Sequence, residues 1–309
     1  MCFFVSVYLR GKARFQVHRM LLSLESGDPF DFFSDSLETL YDYHPVSLTT
    51  SSGTPFIYTL KYCPANNHTS GCDCSTNITL QIPDPDAANW SLHASSIWVS
   101  STYLADHLDE LKLENHIHLK RNSNGDNTVR ILELGASAGL PGILIAKLYS
   151  GCREVEVTVT DYPDKAIMKT LSDNVIRNGV GHCCRALPHA WGTDPSPLMD
   201  DGAPGFDVVI AADVLWNPEL HGIFIHTLQS TLKRSLDSRA HIIVGLHTGR
   251  YSIQSFLEKV VQSGFDLKSV VERRLSGSEN RQWQVTRNQE DEKERRKWVI
   301  WIQLGWASN

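Results

Sequence analysis

From residue 1 to about 94, apolar residues come in short bursts between turn clusters such as Thr49-Thr50-Ser51-Ser52-Gly53 and Pro83-Asp84-Pro85-Asp86. Two bursts, 56–60 (FIYTL) and 77–82 (NITLQI), are extended in character and predict a hairpin across the loop between them. From residue 95 the period changes. Ser95 or Ser96 can cap a helix running to about Leu113, with Ile97, Leu104, Leu108 and Leu111 on one stripe. Residues 122–127 are a polar loop, after which strand and helix patterns alternate. Strands are predicted at 129–134, 154–160, 206–212 and 241–246. Helices are predicted at 140–149 (with Pro141 suited to a first turn), 165–178, 219–235 and 252–263. Strands separated by helices of this length predict βαβ units: an α/β fold with a parallel sheet covered on both faces. The last strand-like runs, 267–271 and 298–304, need no helix between them and predict an antiparallel hairpin at the sheet edge.

The loop between those two strands, 272–297, carries eight basic and six acidic residues, which reads as a mixed solvated segment. It also holds Trp283, an apolar side chain that needs burial. At 309 residues the chain is long enough for one large domain with an appendage, taken here as an N-terminal extension (1–48), a hairpin and loop packed on the core (49–94) and an α/β domain (95–309). The net charge of −6 argues against a global phosphate-gripping surface, so no nucleic-acid partner is expected. No run reaches the roughly 18 apolar residues that span a bilayer. The apolar start, 1–9, is followed rather than preceded by Arg10, Lys12 and Arg14, the reverse of an export signal. A cytoplasmic protein with no membrane partner is the expectation. Seven scattered cysteines then read as reduced thiols. Cys63, Cys72 and Cys74 with His68 match no paired metal-ligand spacing, and no metal is expected.

The strongest chemical signal is Glu133-Leu134-Gly135-Ala136-Ser137-Ala138-Gly139-Leu140-Pro141-Gly142, where the first parallel strand turns into its helix. Ligands of such sheets bind beyond the carboxyl ends of the strands, and glycine there admits a close backbone approach. A dinucleotide would set its pyrophosphate on the helix N-terminus. S-adenosylmethionine, with an amino group and a sulfonium, would favour an acid such as Glu133 on the strand before the turn. An ordinary glycine-containing turn is the third reading. Asp161, ending the second strand, can accept hydrogen bonds from both hydroxyls of a ribose, or cap the helix that follows. Ser137 stands where a middle glycine is usual, so it must keep φ below zero or accept strain.

These segments, with Thr160-Asp161-Tyr162-Pro163, Ala190-Trp191-Gly192 and Ala211-Ala212-Asp213-Val214-Leu215-Trp216, resemble the seven-strand S-adenosylmethionine-dependent methyltransferases. Within them the likeness is to the lysine-methyltransferase-like branch. Its fungal members are often labelled nicotinamide N-methyltransferase-like, and some methylate the N-terminal region of elongation factor 1-alpha. Ser96-Ile97-Trp98-Val99-Ser100-Ser101-Thr102-Tyr103-Leu104 resembles the branch's upstream tryptophan helix, and Arg295-Arg296-Lys297-Trp298-Val299-Ile300 its final strand. The resemblance runs from about 95 to 306. It implies a Rossmann-like seven-strand sheet and S-adenosyl-L-methionine as cofactor. It also implies cofactor contacts by Trp98, Glu133, Gly135, Ala136, Ser137, Gly139, Asp161, Tyr162, Trp191 and Ala212.

Methyl transfer from a sulfonium is an in-line displacement in which alignment and desolvation supply most of what a protein must add. An amine acceptor must first lose its proton. Asp213, at the end of the fourth strand, is the candidate to orient the neutral amine, with Trp216 as a wall of the acceptor pocket. The expected acceptor is a lysine or N-terminal amine of a protein, elongation factor 1-alpha among the candidates, with the enzyme acting as a monomer. A small-molecule, nicotinamide-like N-methyltransferase and a non-catalytic cofactor-binding module are the alternatives. From residue 95 on, where the α/β pattern begins, no Tyr-x-x-x-Lys pair supports an oxidoreductase.

Overall fold

The computed structural model describes residues 52–60, 76–122, 127–199, 203–247 and 249–308, all within one unit, Pro45–Asn309. The expected N-terminal extension (1–48) and the group Cys63, Cys72, Cys74 and His68 lie outside the described residues.

Eight strands form the main sheet. In chain order they are β3 (Val129–Leu134), β4 (Val155–Asp161), β5 (Cys184–Pro188), β6 (Val208–Ala212), β7 (Arg239–Gly245), β8 (Phe265–Arg274), β9 (Asn280–Gln282) and β10 (Trp298–Trp306). Their spatial order is β5-β4-β3-β6-β7-β10-β8-β9. The first five strands pair in parallel; β10 pairs antiparallel with both β7 and β8, and β8 with β9. The strand order reverses between β3 and β6, which makes the carboxyl ends of β3, β4 and β6 the place where such a sheet opens a crevice.

Two cores form because successive strand residues face opposite ways. Ile131, Ile243 and Trp301 belong to one buried cluster with Leu104, Ile143 and Val157. Their neighbours Leu132, Ile242 and Ile300 belong to the other, with Phe224 and Phe256. Strands buried on both faces read as unbroken apolar runs, as β6 does throughout and β7 does over Ile242, Ile243 and Val244. The covering helices include α3 (Leu140–Leu148), α4 (Lys165–Arg177), α5 (His221–Thr231) and α6 (Arg250–Gln262). Among the described residues no helix is long and apolar enough to cross a membrane.

The expected hairpin is present: β1 (Pro55–Leu60) pairs antiparallel with β2 (Thr76–Gln81). The other edge of β2 is closed by Asn174 of α4 and by Asn178, the C-cap of that helix. Asn178 exchanges hydrogen bonds with the Thr79 N–H and C=O, both at 2.9 Å. Asn174 accepts from the Gln81 N–H at 2.7 Å and donates to the Gln81 C=O at 2.9 Å. A carboxamide carries the donor and acceptor of a peptide, so it can stand in for a strand partner.

Four expectations are corrected. The helix expected from Ser95 or Ser96 to Leu113 is three pieces: α1 (Val99–Asp106), a 3₁₀ turn (Leu108–Leu111) and the start of α2 (Leu113–Arg121). Lys112 is left-handed (φ 53°) and no serine caps α1, whose N-cap is Trp98. The apolar stripe survives the breaks, since Ile97, Leu104, Leu108 and Leu111 are all buried. Strand β5 was not anticipated. Its sequence CRALP lacks a β-branched run, and it forms because it borders β4 at the parallel edge. The expected terminal hairpin forms, β8 antiparallel to β10, but the outermost strand is the unanticipated β9, and the final strand lies between β7 and β8. The charged loop is also not wholly solvated. The fully buried Glu272 accepts from Arg250 at 2.7 and 2.8 Å and from Arg281 at 2.7 Å, and Arg250 also binds Glu290. Trp283 is half-buried beside this cluster and donates to Gln254 at 3.0 Å. α7 (Glu292–Arg295) then returns the chain to β10.

Candidate functional site

A cleft of about 220 Å³ opens at the carboxyl ends of β3, β4, β5 and β6. Nine of the twelve residues expected at the site line it: Trp98, Gly135, Ser137, Asp161, Tyr162, Trp191, Ala212, Asp213 and Trp216. Glu133, Ala136 and Gly139 do not line it. Each of these three is buried or packed beneath the loop, where it shapes the turn.

The glycine-containing turn between β3 and α3 is built as follows. Gly135 is left-handed (φ 72°), and a Cβ on it would meet Val214 Cγ1 at 2.9 Å and Trp191 Cζ2 at 3.5 Å. Glycine keeps that wall open. Ala136 N–H donates to Thr160 C=O at 2.9 Å. Gly139, the left-handed N-cap of α3, packs where a Cβ would run into Leu171 and Ile143. Glu133 lies under the helix and accepts from the Gly142 N–H at 2.9 Å. Burial pushes its carboxyl up to about 8, against the pull of that N–H.

Ser137 takes the strained alternative. Its φ is +49°, in the left-handed region that costs a residue with a Cβ about 1–2 kcal/mol. Two bonds hold it there: its N–H donates to Asp161 Oδ2 at 2.6 Å, and its hydroxyl to the Ala94 C=O at 2.6 Å.

Asp161 is nine-tenths buried and lines the cleft. Oδ1 accepts from the Tyr162 N–H at 2.7 Å and Oδ2 from the Ser137 N–H. Burial raises its carboxyl to about 6, with the two N–H donors opposing. It is not the cap of α4; that is Asp164, which accepts from Ala166 N–H and Ile167 N–H at 2.8 and 3.0 Å. A carboxylate with each oxygen fixed by one backbone N–H keeps lone pairs for two more donors, which is what a vicinal diol offers.

The far wall is aromatic. Trp191 packs on Phe224 with centroids 4.9 Å apart. Trp98 donates its indole N–H to the His93 C=O at 2.9 Å, and the His93 ring stands edge-on to Trp216 at 4.9 Å. Asp213 sits between this wall and β7 with φ +55°. Its N–H donates to Ile243 C=O and its Oδ1 accepts from Gly245 N–H, each at 2.8 Å. Its Oδ2 is buried with no hydrogen-bond partner among the described residues. Such an atom costs free energy unless a ligand satisfies it.

Several lining residues carried no sequence signal. His93 and Ala94 arrive from the 3₁₀ turn Ala87–Leu92, whose left-handed end is His93 itself. His189 follows β5, donates its N–H to Asp161 C=O at 2.9 Å, and has its imidazole pKa lowered by burial. Val214 and Ile223 complete the apolar surface. His189 was discoverable only with β5 in hand, because it is placed by being at the carboxyl end of a parallel strand.

The geometry separates the two cofactor readings. A pyrophosphate needs free N–H groups at the helix N-terminus. Here Pro141 has none, Gly142 N–H is taken by Glu133, and residues 140–146 are buried. A nucleoside without phosphates fits a cleft with a diol-accepting carboxylate and aromatic walls.

Comparison with known proteins agrees with this. A family model described as lysine methyltransferase matches residues 76–263, more than half of the chain. The "Protein N-terminal and lysine N-methyltransferase EFM7" of Gibberella zeae is 32% identical over 162 residues, 47% of this chain and 60% of that protein. The protein of the same name from Emericella nidulans is 32% identical over 156 residues, 46% of this chain and 59% of the relative. That of Candida glabrata is 30% identical over 177 residues, covering 56% and 61%. The chain thus spans about three fifths of the length of these curated relatives. The matched stretch runs from β2 through α6 and so contains the glycine turn, Asp161, Trp191 and Asp213, and by this match the chain belongs to the lysine methyltransferase family.

Proposed function

We propose that this protein transfers a methyl group from S-adenosylmethionine to an amine nitrogen of a protein, a lysine side chain or an N-terminal amine. The observation that carries the reading is the pair of buried carboxylates on one cleft. Asp161 is fully set by backbone donors, and Asp213 has one oxygen without a partner among the described residues.

When bound, the cofactor supplies a methyl group activated by its sulfonium. Asp161 would hold the ribose hydroxyls, with the Gly135–Ser137 backbone alongside. Trp191 and Ile223 would face the adenine, where flat apolar surface is needed. Trp98 and Trp216 exclude water from the reacting centre, which strengthens each electrostatic contact made there. Asp213 Oδ2 would accept a hydrogen bond from an N–H of the incoming amine and so aim its lone pair. The relatives are named as N-terminal and lysine N-methyltransferases, which supports a protein acceptor. Elongation factor 1-alpha, a substrate of the fungal proteins this sequence resembles, is the first acceptor to try.

The test is transfer of label from radiolabelled S-adenosylmethionine into a cell extract supplemented with nicotinamide, with Asp161→Ala as control. Label in a discrete protein band, lost in the control, is the expected result. Label confined to small molecules would replace the protein acceptor with a metabolite, and no label at all would remove the activity.

A further inference from the structure

His247 played no part in the sequence reading, yet four observations bring it to Asp213. It follows β7 at the same end of the sheet, and its Nδ1 lies 3.9 Å from Asp213 Oδ1. That Nδ1 is buried and has no hydrogen-bond partner among the described residues. The ring is stacked on Trp98, a wall of the cleft, at 5.6 Å between centroids and 25° between planes. Gly245 leaves room for the approach, since a Cβ there would stand 2.8 Å from His247 Nδ1 and 3.3 Å from Asp213 Oδ1.

The two side chains also differ in access. Asp213 is 3% exposed and His247 16%, so the imidazole spans from the buried carboxylate toward solvent. A second, small cavity of about 10 Å³, room for one water, touches both residues, with Gly245, Leu246 and Arg296 among its other walls. The charged groups facing the imidazole are Asp213 and Arg296; Arg295 donates to the adjoining Leu246 C=O at 3.0 Å.

We propose that His247 is the proton acceptor paired with Asp213. This rests on the reading of the chain as an amine methyltransferase. An acceptor amine arrives as an ammonium, R–NH₃⁺, held by Asp213 Oδ2. One N–H bond breaks and its electron pair stays on nitrogen. The proton passes by way of Asp213, across a 3.9 Å gap that one water or a small closure bridges, to His247 Nδ1. His247, now imidazolium, returns a proton to solvent. The freed lone pair forms the N–C bond as the C–S bond breaks and sulfur keeps that pair. His247 acts through Asp213 and is therefore a positioning and relay residue for this step.

The experiment uses the full chain, its His247→Gln variant, and His247→Phe, which keeps a ring against Trp98. Transfer of label into the protein band is followed from pH 6.5 to 9.5, and S-adenosylhomocysteine affinity is measured beside it. A relay base contributes about 100-fold at neutral pH. Both variants should therefore label about 100-fold more slowly than the parent at pH 7. They should recover to within about threefold near pH 9.5, where about a tenth of free lysine amines are already neutral, against about 0.04% at pH 7. Affinity for S-adenosylhomocysteine should stay within about threefold, as binding needs no deprotonation. A deficit equal at every pH, a deficit that follows lost affinity, or full speed at pH 7 in either variant would overturn the relay. A parent protein that labels no band would remove the underlying activity instead, which separates the two failures.

Discussion

Asp161 and Asp213 end parallel strands on the same crevice and line the same cleft, but they are held differently. Asp161 has one backbone N–H on each oxygen. Asp213 has one on Oδ1, none on Oδ2, and a left-handed backbone. The first is complete as an acceptor for neutral hydroxyls before any ligand arrives. The second holds a buried lone pair and local strain, the arrangement expected where a cationic or polar group completes the site. One cleft thus contains a carboxylate with a backbone donor on each oxygen and a carboxylate with one oxygen unpartnered among the described residues.

The contrast is tested most severely by Asp213→Asn. It keeps an oxygen for Gly245 N–H but loses the charge, and turnover should fall by about 100-fold or more, with S-adenosylhomocysteine affinity within about threefold. Calorimetry beside the label assay reads both. Equal losses in binding and turnover would erase the division of roles. Asp161→Ala should act instead through cofactor affinity, and labelling should fall with it. Loss of a charged acceptor for two hydroxyls is worth about 1.5–3 kcal/mol, or about 10- to 100-fold in affinity. The same residue gives a pH signature. As pH falls through about 6 the carboxylate takes a proton and loses an acceptor, so S-adenosylhomocysteine affinity should weaken on the acid side. Constant affinity from pH 5 to 8 would contradict that role.

Glu133 is a third carboxylate, and it does not line the cleft. Its pKa is raised from 4.5 to about 8 in the folded chain, so folding favours its protonated form. The stability it confers is fully present below about 4.5 and is lost as pH rises through about 8. The slope between is at most about 1.4 kcal/mol per pH unit. Glu133→Gln, a permanently neutral stand-in, should flatten that decline in denaturant midpoints. An unchanged slope would mean Glu133 is ionised throughout. The smallest effect is at Ser137. Its strained φ is offset by its hydroxyl bond to Ala94, so Ser137→Ala should lose about 1 kcal/mol while Ser137→Gly stays near neutral. Equal losses in both would show that the backbone there is unstrained.

Much of this was legible in the chain. β3 has its expected limits because a run buried on both faces announces itself, and the hairpin pairs as its two extended runs imply. Asp161 and Asp213 were found because each closes such a strand. β5 was missed because it is short and its residues are set by pairing with β4 rather than by their own pattern. The helix after 95 breaks at His107 and Lys112, two ordinary helix-tolerant residues whose conformation is imposed by burial of Leu108 and Leu111. Glu133 was placed at the ligand by its position in the motif. It lies beneath α3 because Gly142 leaves space for its carboxylate: a Cβ there would stand 2.5 Å from Oε2. His93 and His247 had no spacing to betray them, since they reach the site from separate loops across the sheet.

The central claim is that this cleft takes a nucleoside and has no seat for a pyrophosphate. Parallel calorimetric titrations of the full chain with S-adenosylhomocysteine and with NADH address it directly. Saturable one-to-one binding of S-adenosylhomocysteine, with no detectable heat from NADH, is the predicted result. Binding of NADH as tight as or tighter than S-adenosylhomocysteine would contradict it, because Glu133 would then have to yield the Gly142 N–H to a phosphate.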